Sequence, residues 1–412
     1  MQRILLILVI LFCFQGSLIA HADSTLKAAF IRGGNLWLKV DKVERQITND
    51  SRVDSPVWSY DGKWIAYTKK DGIWVYDTLG MKSYQVYHEG GSNCQWAPDK
   101  NVLAFQDHSV LDISDIRSGN PKSFTNVALG VSSFSWRPDG SGFMVSASAN
   151  LLPNGWTNPI LFEIALGKDL KVEDLTKNVK RFFTIPGKLK KGNIETLAIG
   201  TSSFEWSADK KWIAFIVHPT ASWSMDSNML CVLSSDGKKF EPLDEMASGF
   251  EFKWAPASNL LGYIQGGGRI IFGFKNKNLK VKELPALQSL NLTPENFVDL
   301  SFTWQSDKDV IVSRSPVTEW SSIPSKRALP ILFGMDIHNK DQKQISFPPL
   351  GYGDFNPDFL HLDQKLTWIR SNGEENEVWL SEPDGKSAKK WIENVDDQDS
   401  VSYYTPINMR EN

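Results

Sequence analysis

The chain has 412 residues, of which 23% are charged and 41% hydrophobic, with a formal net charge of −3. A balance this close to neutral gives no reason to expect nucleic acid as a partner. The length exceeds what one continuous hydrophobic core usually serves, so the core must be divided.

Residues 1–22 read as a secretory signal: Arg3, an apolar run from Ile4 to Phe14, then Ala20-His21-Ala22 before Asp23. The apolar run is short for a membrane span of about 30 Å. Cleavage after Ala22 is therefore expected, with no span left in the mature chain. Cys13 follows Phe12, where a lipoprotein signal would want a small residue, so no lipid anchor is expected.

Beyond the leader, short aromatic and β-branched runs alternate with turn residues. The first are Ala28-Ala29-Phe30-Ile31 and Asn35-Leu36-Trp37-Leu38, followed by a polar run at Glu44-Arg45-Gln46-Ile47. Then a phrase appears, Trp58-Ser59-Tyr60-Asp61-Gly62-Lys63-Trp64-Ile65-Ala66-Tyr67, which returns as Trp206-Ser207-Ala208-Asp209-Lys210-Lys211-Trp212-Ile213-Ala214-Phe215. Weaker copies begin at Trp96, Trp136, Trp254 and Trp304, and a blurred one lies around Phe355. In each, a strand ends at the tryptophan, a polar turn follows, and a second strand begins. Runs such as Ile73-Trp74-Val75-Tyr76, Leu230-Cys231-Val232-Leu233 and Val378-Trp379-Leu380 supply a third strand. No segment carries the sustained 3.6-residue period of a helix.

A spacing of roughly 40 to 50 residues means one supersecondary unit stacked many times. Four antiparallel strands per unit predict an all-β fold, a β-propeller whose blades leave only short sheet edges. Three-strand sets number eight; seven blades is the alternative if the unit at Phe355 merges with a neighbour. Residues 23–412 form one propeller domain. The segment Asp399–Pro406 resembles Asp50–Pro56, so the C-terminal strand is expected to complete the first blade and close the ring.

The Trp-Ser-x-Asp-Gly-Lys-x-Ile-Ala-Tyr phrase resembles the repeat of TolB-type propellers, a WD40-like repeat found also in the propeller domains of prolyl-oligopeptidase-like peptidases. The resemblance covers nearly the whole chain after the leader. It implies the fold, and with it a habit of binding envelope proteins. TolB itself has six blades and a separate N-terminal domain, and the present chain departs from both. No family functional residue has a counterpart here.

Thirteen of the sixteen tryptophans fall in predicted strands. Burying one removes about 150–250 Å² from water, worth roughly 4–6 kcal/mol as an upper bound. The other three, Trp156, Trp223 and Trp320, sit in lengthened connections between the second and third strands of their blades. In an up-and-down blade those connections emerge on the same face as the links between blades. Each tryptophan either contacts a shared ligand or folds down as a lid on its own blade. The longest interblade insertion, 177–200, would reach the same face carrying Lys177, Lys180, Arg181, Lys188, Lys190 and Lys191, with Phe182 and Phe183. It either meets an anionic polymer or acidic partner, or is a solvated loop. The acidic stretch Glu393, Asp396, Asp397 and Asp399 is expected to be solubilising rather than metal-binding.

Candidate catalytic groups are sparse. There is no Gly-x-Ser-x-Gly elbow, no His-Glu-x-x-His and no zinc-spaced cysteine pair. His88 and His218 would lie towards the tryptophan-bearing face. Cys94 and Cys231 are expected to be buried free thiols. The expected protein is therefore a secreted, monomeric, non-catalytic propeller that needs no metal or cofactor. It would bind an envelope or extracellular protein through one loop face, with Trp156, Trp223, Trp320, Lys188, Lys190 and Lys191 as candidate contacts. The alternatives are a cell-wall carbohydrate binder stacking sugars on the loop tryptophans, and a lyase or hydrolase with a rim or channel site.

Overall fold

The computed structural model describes residues 26–49, 52–119, 121, 123–167, 171–177, 179–219, 228–246, 251–266, 276–319, 321, 323 and 326–405. Residues 1–22, expected to be a signal, and Trp223 and Trp320 lie outside these residues. The described chain is all-β, and no helix in it is long and apolar enough to cross a membrane.

Eight antiparallel sheets follow one another in the chain. We number them as blades 1 to 8. The inner strands are Val401–Tyr403, Val53–Trp58, Ser92–Trp96, Ser133–Trp136, Gly200–Trp206, Phe252–Trp254, Phe297–Trp304 and Gly353–Leu360. The unit at Phe355 is thus a full blade, and the count is eight. Blade 1 takes its inner strand from the C-terminal end of the described chain. Val401–Tyr403 pairs antiparallel with Lys27–Arg32, as Phe30↔Val401, Ala29↔Ser402 and Ala28↔Tyr403. The acidic stretch before it proves to be a clasp. The Asp396 carboxylate accepts from the Gly33 and Gly34 N–H groups at 2.6 and 2.7 Å, and Arg32 donates to the Glu393 carbonyl.

Buried apolar side chains fall into eight clusters, each joining two neighbouring blades. This is how a chain of such length divides its core. The motif tryptophans cross these joints. Trp58, Trp96, Trp136, Trp254 and Trp304 each donate the indole N–H to a carbonyl on the preceding blade's inner strand. The acceptors are Ser402, Val57, Gln95, Glu205 and Lys253, at 2.9–3.1 Å. From blade 3 onwards the acceptor is always the residue just before the neighbour's own tryptophan. Blade 8 places Phe359 at the equivalent position, opposite Leu366, and has no N–H to give. At the joint between blades 4 and 5, the Trp206 N–H is buried without a partner.

The turn of the phrase has an equally specific role. Ser59 Oγ accepts from the Trp64 N–H and donates to Asp61 Oδ1, which also takes the Lys63 N–H. Ser207, Asp209, Lys211 and Trp212 repeat these bonds. The second oxygen of each aspartate reaches across the joint, accepting from Asn101 at 3.0 Å and from Asn259 at 2.8 Å. Burial pushes the Asp61 carboxyl up, but the bonds from Asn101, Lys63 and Ser59 outweigh it and hold the group below its ordinary value. Gly62, at φ +67°, has Tyr404 packed so close that a Cβ there would stand 2.7 Å from the ring.

Blades 7 and 8 each bury an ion pair between the inner and second strands. Arg314 grips Asp299 in two bonds of 2.6 and 2.9 Å, and Arg370 grips Asp354 at 2.7 and 2.9 Å. Both are opposite partners in their strand registers. Removing one member would leave a buried charge unpaired, at about 3–5 kcal/mol.

Five inner strands bulge near their midpoints. In four of them a non-glycine residue (Ser55, Asn93, Ser203 or Asn356) adopts φ between 46° and 57°. The left-handed region carries a penalty of roughly 1–2 kcal/mol for a side-chain-bearing residue, and glycine escapes it at an entropic cost of about 0.5–1 kcal/mol. Ser203→Gly should therefore raise the melting temperature slightly, and a drop would show that the bulge is not strained.

The indole relay has its own test. Trp254 and Trp206 are both half-buried, yet only Trp254 has an acceptor. Replacing either by phenylalanine removes similar volume, so denaturant titration should find Trp254→Phe more destabilising by about 1 kcal/mol. Equal losses would mean that the hydrogen bond adds nothing to the joint.

Candidate functional site

The link between the second and third strands of blade 4 forms a small hairpin of its own. Leu151–Leu152 pairs with Gly155–Trp156 around Pro153-Asn154. Its base is fixed at both ends: Thr157 and Asn150 exchange two hydrogen bonds, and the Ala149 N–H donates to the Ile199 carbonyl at 2.8 Å. Its tip is apolar and open to solvent, with Leu151 66%, Leu152 47% and Trp156 39% exposed. The two leucines stand further into solvent than Trp156, which keeps more than half of its surface covered.

Beside it stands a second hairpin, Lys188–Lys191 paired with Ile194–Leu197, inserted between blades 4 and 5. The two touch at their bases, where Ile185 donates to the Pro159 carbonyl and Gly187 lies against Asn158. Leu189 and Ala198 sink into the joint between the blades. The insertion is shorter than the sequence implied. Arg181–Thr184 is the outer strand of blade 4, and Phe182 and Phe183 pack against the core of the joint. The outer strand has low hydrophobicity and many lysines around it, which made it look like loop.

Half of the expected cations are paired within the chain. Lys188 pairs with Glu195 at 3.0 Å, Lys191 with Glu241 at 2.8 Å and Lys177 with Asp174 at 3.1 Å. Such exposed pairs contribute only about 0–1 kcal/mol each, and they offset three of the six cations, with Lys180, Arg181 and Lys190 exposed outside them. Of the six candidate contacts, Trp156, Lys188, Lys190 and Lys191 lie on these two hairpins, which touch at their bases, and Lys191 at the far end of the second reaches Glu241 on the outer strand of blade 5. Trp223 and Trp320 belong to equivalent connections of blades 5 and 7 but fall outside the described residues.

His218 ends the second strand of blade 5 with its ring against Gly200. Among the described residues no group of histidine, cysteine and carboxylate side chains is arranged to hold a metal ion. Cys94 and Cys231 are free thiols. Burial pushes the Cys94 thiol up to about 12 and the Cys231 thiol well above its ordinary value, so neither is a ready nucleophile.

A second concavity lies on the axis, where inner strands of blades 6, 7, 8 and 1 converge. It encloses about 380 Å³ and is lined by Glu251, Lys253, Asn356, Asp358, Asp399 and Tyr403, among others. Asn356, the left-handed residue of its bulge, donates its amide to the Gln398 carbonyl and to Asp399 Oδ1. Lys253 donates to the Phe302 carbonyl at 2.9 Å and stands 3.7 Å from Glu251. The sequence offered little warning of this site, because its residues are scattered between positions 251 and 403 and only ring closure assembles them.

Against known proteins, no family model matches the chain. A stretch of 119 residues is 31% identical to the uncharacterized peptidase YuxL of Bacillus subtilis (strain 168), covering 25% of this chain and 18% of that protein. The chain thus matches less than a fifth of that relative's length. Among solved structures, the dihydro-heme d1 dehydrogenase NirN superposes with a TM-score of 0.58 at 11% identity, over 93% of this chain and 76% of that one. A prolyl endopeptidase gives 0.51 at 12%, over 87% and 51%. TolB from Acinetobacter baumannii gives 0.38 at 12%, over 92% and 66%. The protein is an eight-bladed β-propeller whose structural neighbours include propeller peptidases and TolB. At these identities the likeness establishes the fold alone.

Glu251 supplies a pH test of the axial concavity. Burial, with Asp399 and Asp358 nearby, raises its carboxyl above the ordinary value against the opposing pull of Lys253. A carboxyl raised on folding destabilises the native state once pH climbs past its unfolded value, because the folded chain then binds more protons. Glu251→Gln should therefore lose less melting temperature than the wild type between pH 4 and pH 7. Parallel profiles would mean that Glu251 is not held in this environment.

Proposed function

We propose that this chain is a non-catalytic propeller that docks an extracytoplasmic protein through the face bearing the Leu151–Trp156 hairpin. The observation that carries the reading is a hairpin anchored at its base yet tipped with Leu151, Leu152 and Trp156 in solvent. Leu151 and Trp156, opposite one another in the hairpin register, share one of its faces, and Leu152 lies on the other. Apolar surface left in water is unfavourable in the free protein, and that cost is recovered when the surface is covered. A rigid base lowers the ordering cost of binding, and a tryptophan flanked by leucines is a common anchor of protein interfaces. Lys190 would add a polar rim contact. The secretory character of residues 1–22 supports an envelope or extracellular location for the partner.

Sugar stacking on this face would call on Trp156 together with Trp223 and Trp320, of which the last two lie outside the described residues. A second reading, participation in peptide hydrolysis, is favoured by the stretch shared with a protein named as a peptidase. Assay of the purified chain against a mixed peptide substrate decides it.

The docking reading is tested by capture from isolated envelope material. Wild type would be compared with a folded Leu151→Ser, Leu152→Ser, Trp156→Ala triple variant, with bound proteins identified and cross-linked sites mapped. Loss of three apolar anchors should weaken capture of a specific protein at least about tenfold. Equal capture by both forms, or cross-links on the opposite face, would sink the reading.

A further inference from the structure

The axial concavity takes no part in the docking contacts, and its chemistry points to a different ligand. Its volume, about 380 Å³, sits at the low end of the roughly 300–1,000 Å³ usual for small-molecule sites. Three carboxylates, one ammonium, the carboxamides of Asn356 and Gln398, and one tyrosine ring line it, contributed together with Ser301 by four separate blades. Glu251 and Lys253 belong to blade 6, Asn356 and Asp358 to blade 8, Asp399 and Tyr403 to the closing segment of blade 1, and Ser301 of blade 7 completes the wall. The Asp358 carbonyl accepts from Thr367, whereas its carboxylate makes no hydrogen bond or ion pair among the described residues.

Each simple class of ligand conflicts with part of this lining. An anion would face Glu251, Asp358 and Asp399 together. A compact cation would satisfy those carboxylates but would crowd Lys253, whose ammonium already stands beside Glu251. An apolar molecule would strip water from several charged groups and return no hydrogen bonds. A neutral polyol conflicts with none of them. Each hydroxyl both donates and accepts, so it can give its proton to a carboxylate and take one from an ammonium or an amide. Tyr403 is fixed by stacking on Trp391, with ring centroids 6.0 Å apart and planes 15° apart. It adds an amphipathic surface suited to the C–H face of a sugar.

We propose that the axial concavity of blades 6, 7, 8 and 1 binds a single ring of a neutral sugar, with Asp358 and Asp399 accepting from its hydroxyls and Lys253 donating to one of them. The site exists only in the closed ring, because Asp399 and Tyr403 come from the segment that completes blade 1. It is separate from the Leu151–Trp156 hairpin, so either proposal can fail alone.

Saturation-transfer NMR on the full chain would use methyl β-D-glucopyranoside, methyl β-D-galactopyranoside and N-acetylglucosamine as probes, with spermidine and citrate as charged controls. Saturable binding of at least one sugar is expected. That binding should weaken at least about tenfold in Asp358→Asn, the loss of a hydrogen bond to a charged acceptor, and stay unchanged in Trp156→Ala. Glu251→Gln, which keeps the side-chain shape, gives a second reading should Asp358→Asn fail to fold. The proposal is overturned if no sugar binds saturably, if only spermidine or citrate binds, or if sugar binding ignores the changes at both carboxylates.

Discussion

Eight separate sheets stay radial only if each joint between neighbours is fixed in depth and in angle, and here that constraint rests on the motif tryptophan. Its ring fills the wedge between two blades while its N–H bonds a carbonyl on the strand before it. The apolar area supplies most of the free energy and the hydrogen bond supplies the register. At two of these joints a turn aspartate adds a bond close to the indole's own, Asp61 accepting from Asn101 and Asp209 from Asn259. A relay of this kind tolerates gaps. Blade 8 replaces the indole with Phe359, and the Trp206 N–H has no acceptor, yet both joints retain full apolar clusters.

The interruption at Trp206 coincides with the joint that carries the inserted Lys188–Leu197 hairpin. There the apolar packing of Leu189 and Ala198 extends the joint outward. The same insertion braces the Leu151–Trp156 hairpin, so the exposed apolar tip stands on the most heavily buttressed joint of that face. Of the residues that suggest a cationic loop in the sequence, Lys188 pairs with Glu195 within the hairpin and Lys191 with Glu241 of blade 5, while Lys180, Arg181 and Lys190 stand exposed outside these pairs.

The axial concavity illustrates a different dependence. Its wall residues alternate with core residues along the inner strands, and the bulges that hold Asn356 and its counterparts in left-handed conformations turn polar groups towards the axis. Blades 7 and 8, which flank it, are stiffened by the buried pairs Arg314–Asp299 and Arg370–Asp354. A trace of these pairs is present in the sequence, since both arginines are followed by serine at the end of a second strand. An aspartate occurs at the start of each preceding strand. Without the register, two charges fifteen or sixteen residues apart have no reason to be matched.

The sequence by itself determined the repeat, the all-β class, the strand ending at each motif tryptophan and the closure of blade 1 by a C-terminal strand. These follow from local periodicity and turn chemistry, which act over a few residues and recur in every unit. It also placed Trp156 on the face shared by interblade connections, because strand alternation alone fixes that. Only the tertiary structure decided that Phe182 and Phe183 belong to an outer strand, that Asp396 is a clasp, and that the insertion's lysines are mostly paired. It alone gathered Glu251, Asp358 and Asp399 around one cavity. Those outcomes depend on which distant side chains meet once the ring has closed, and pairings between groups far apart in the chain leave no mark in any short window of sequence.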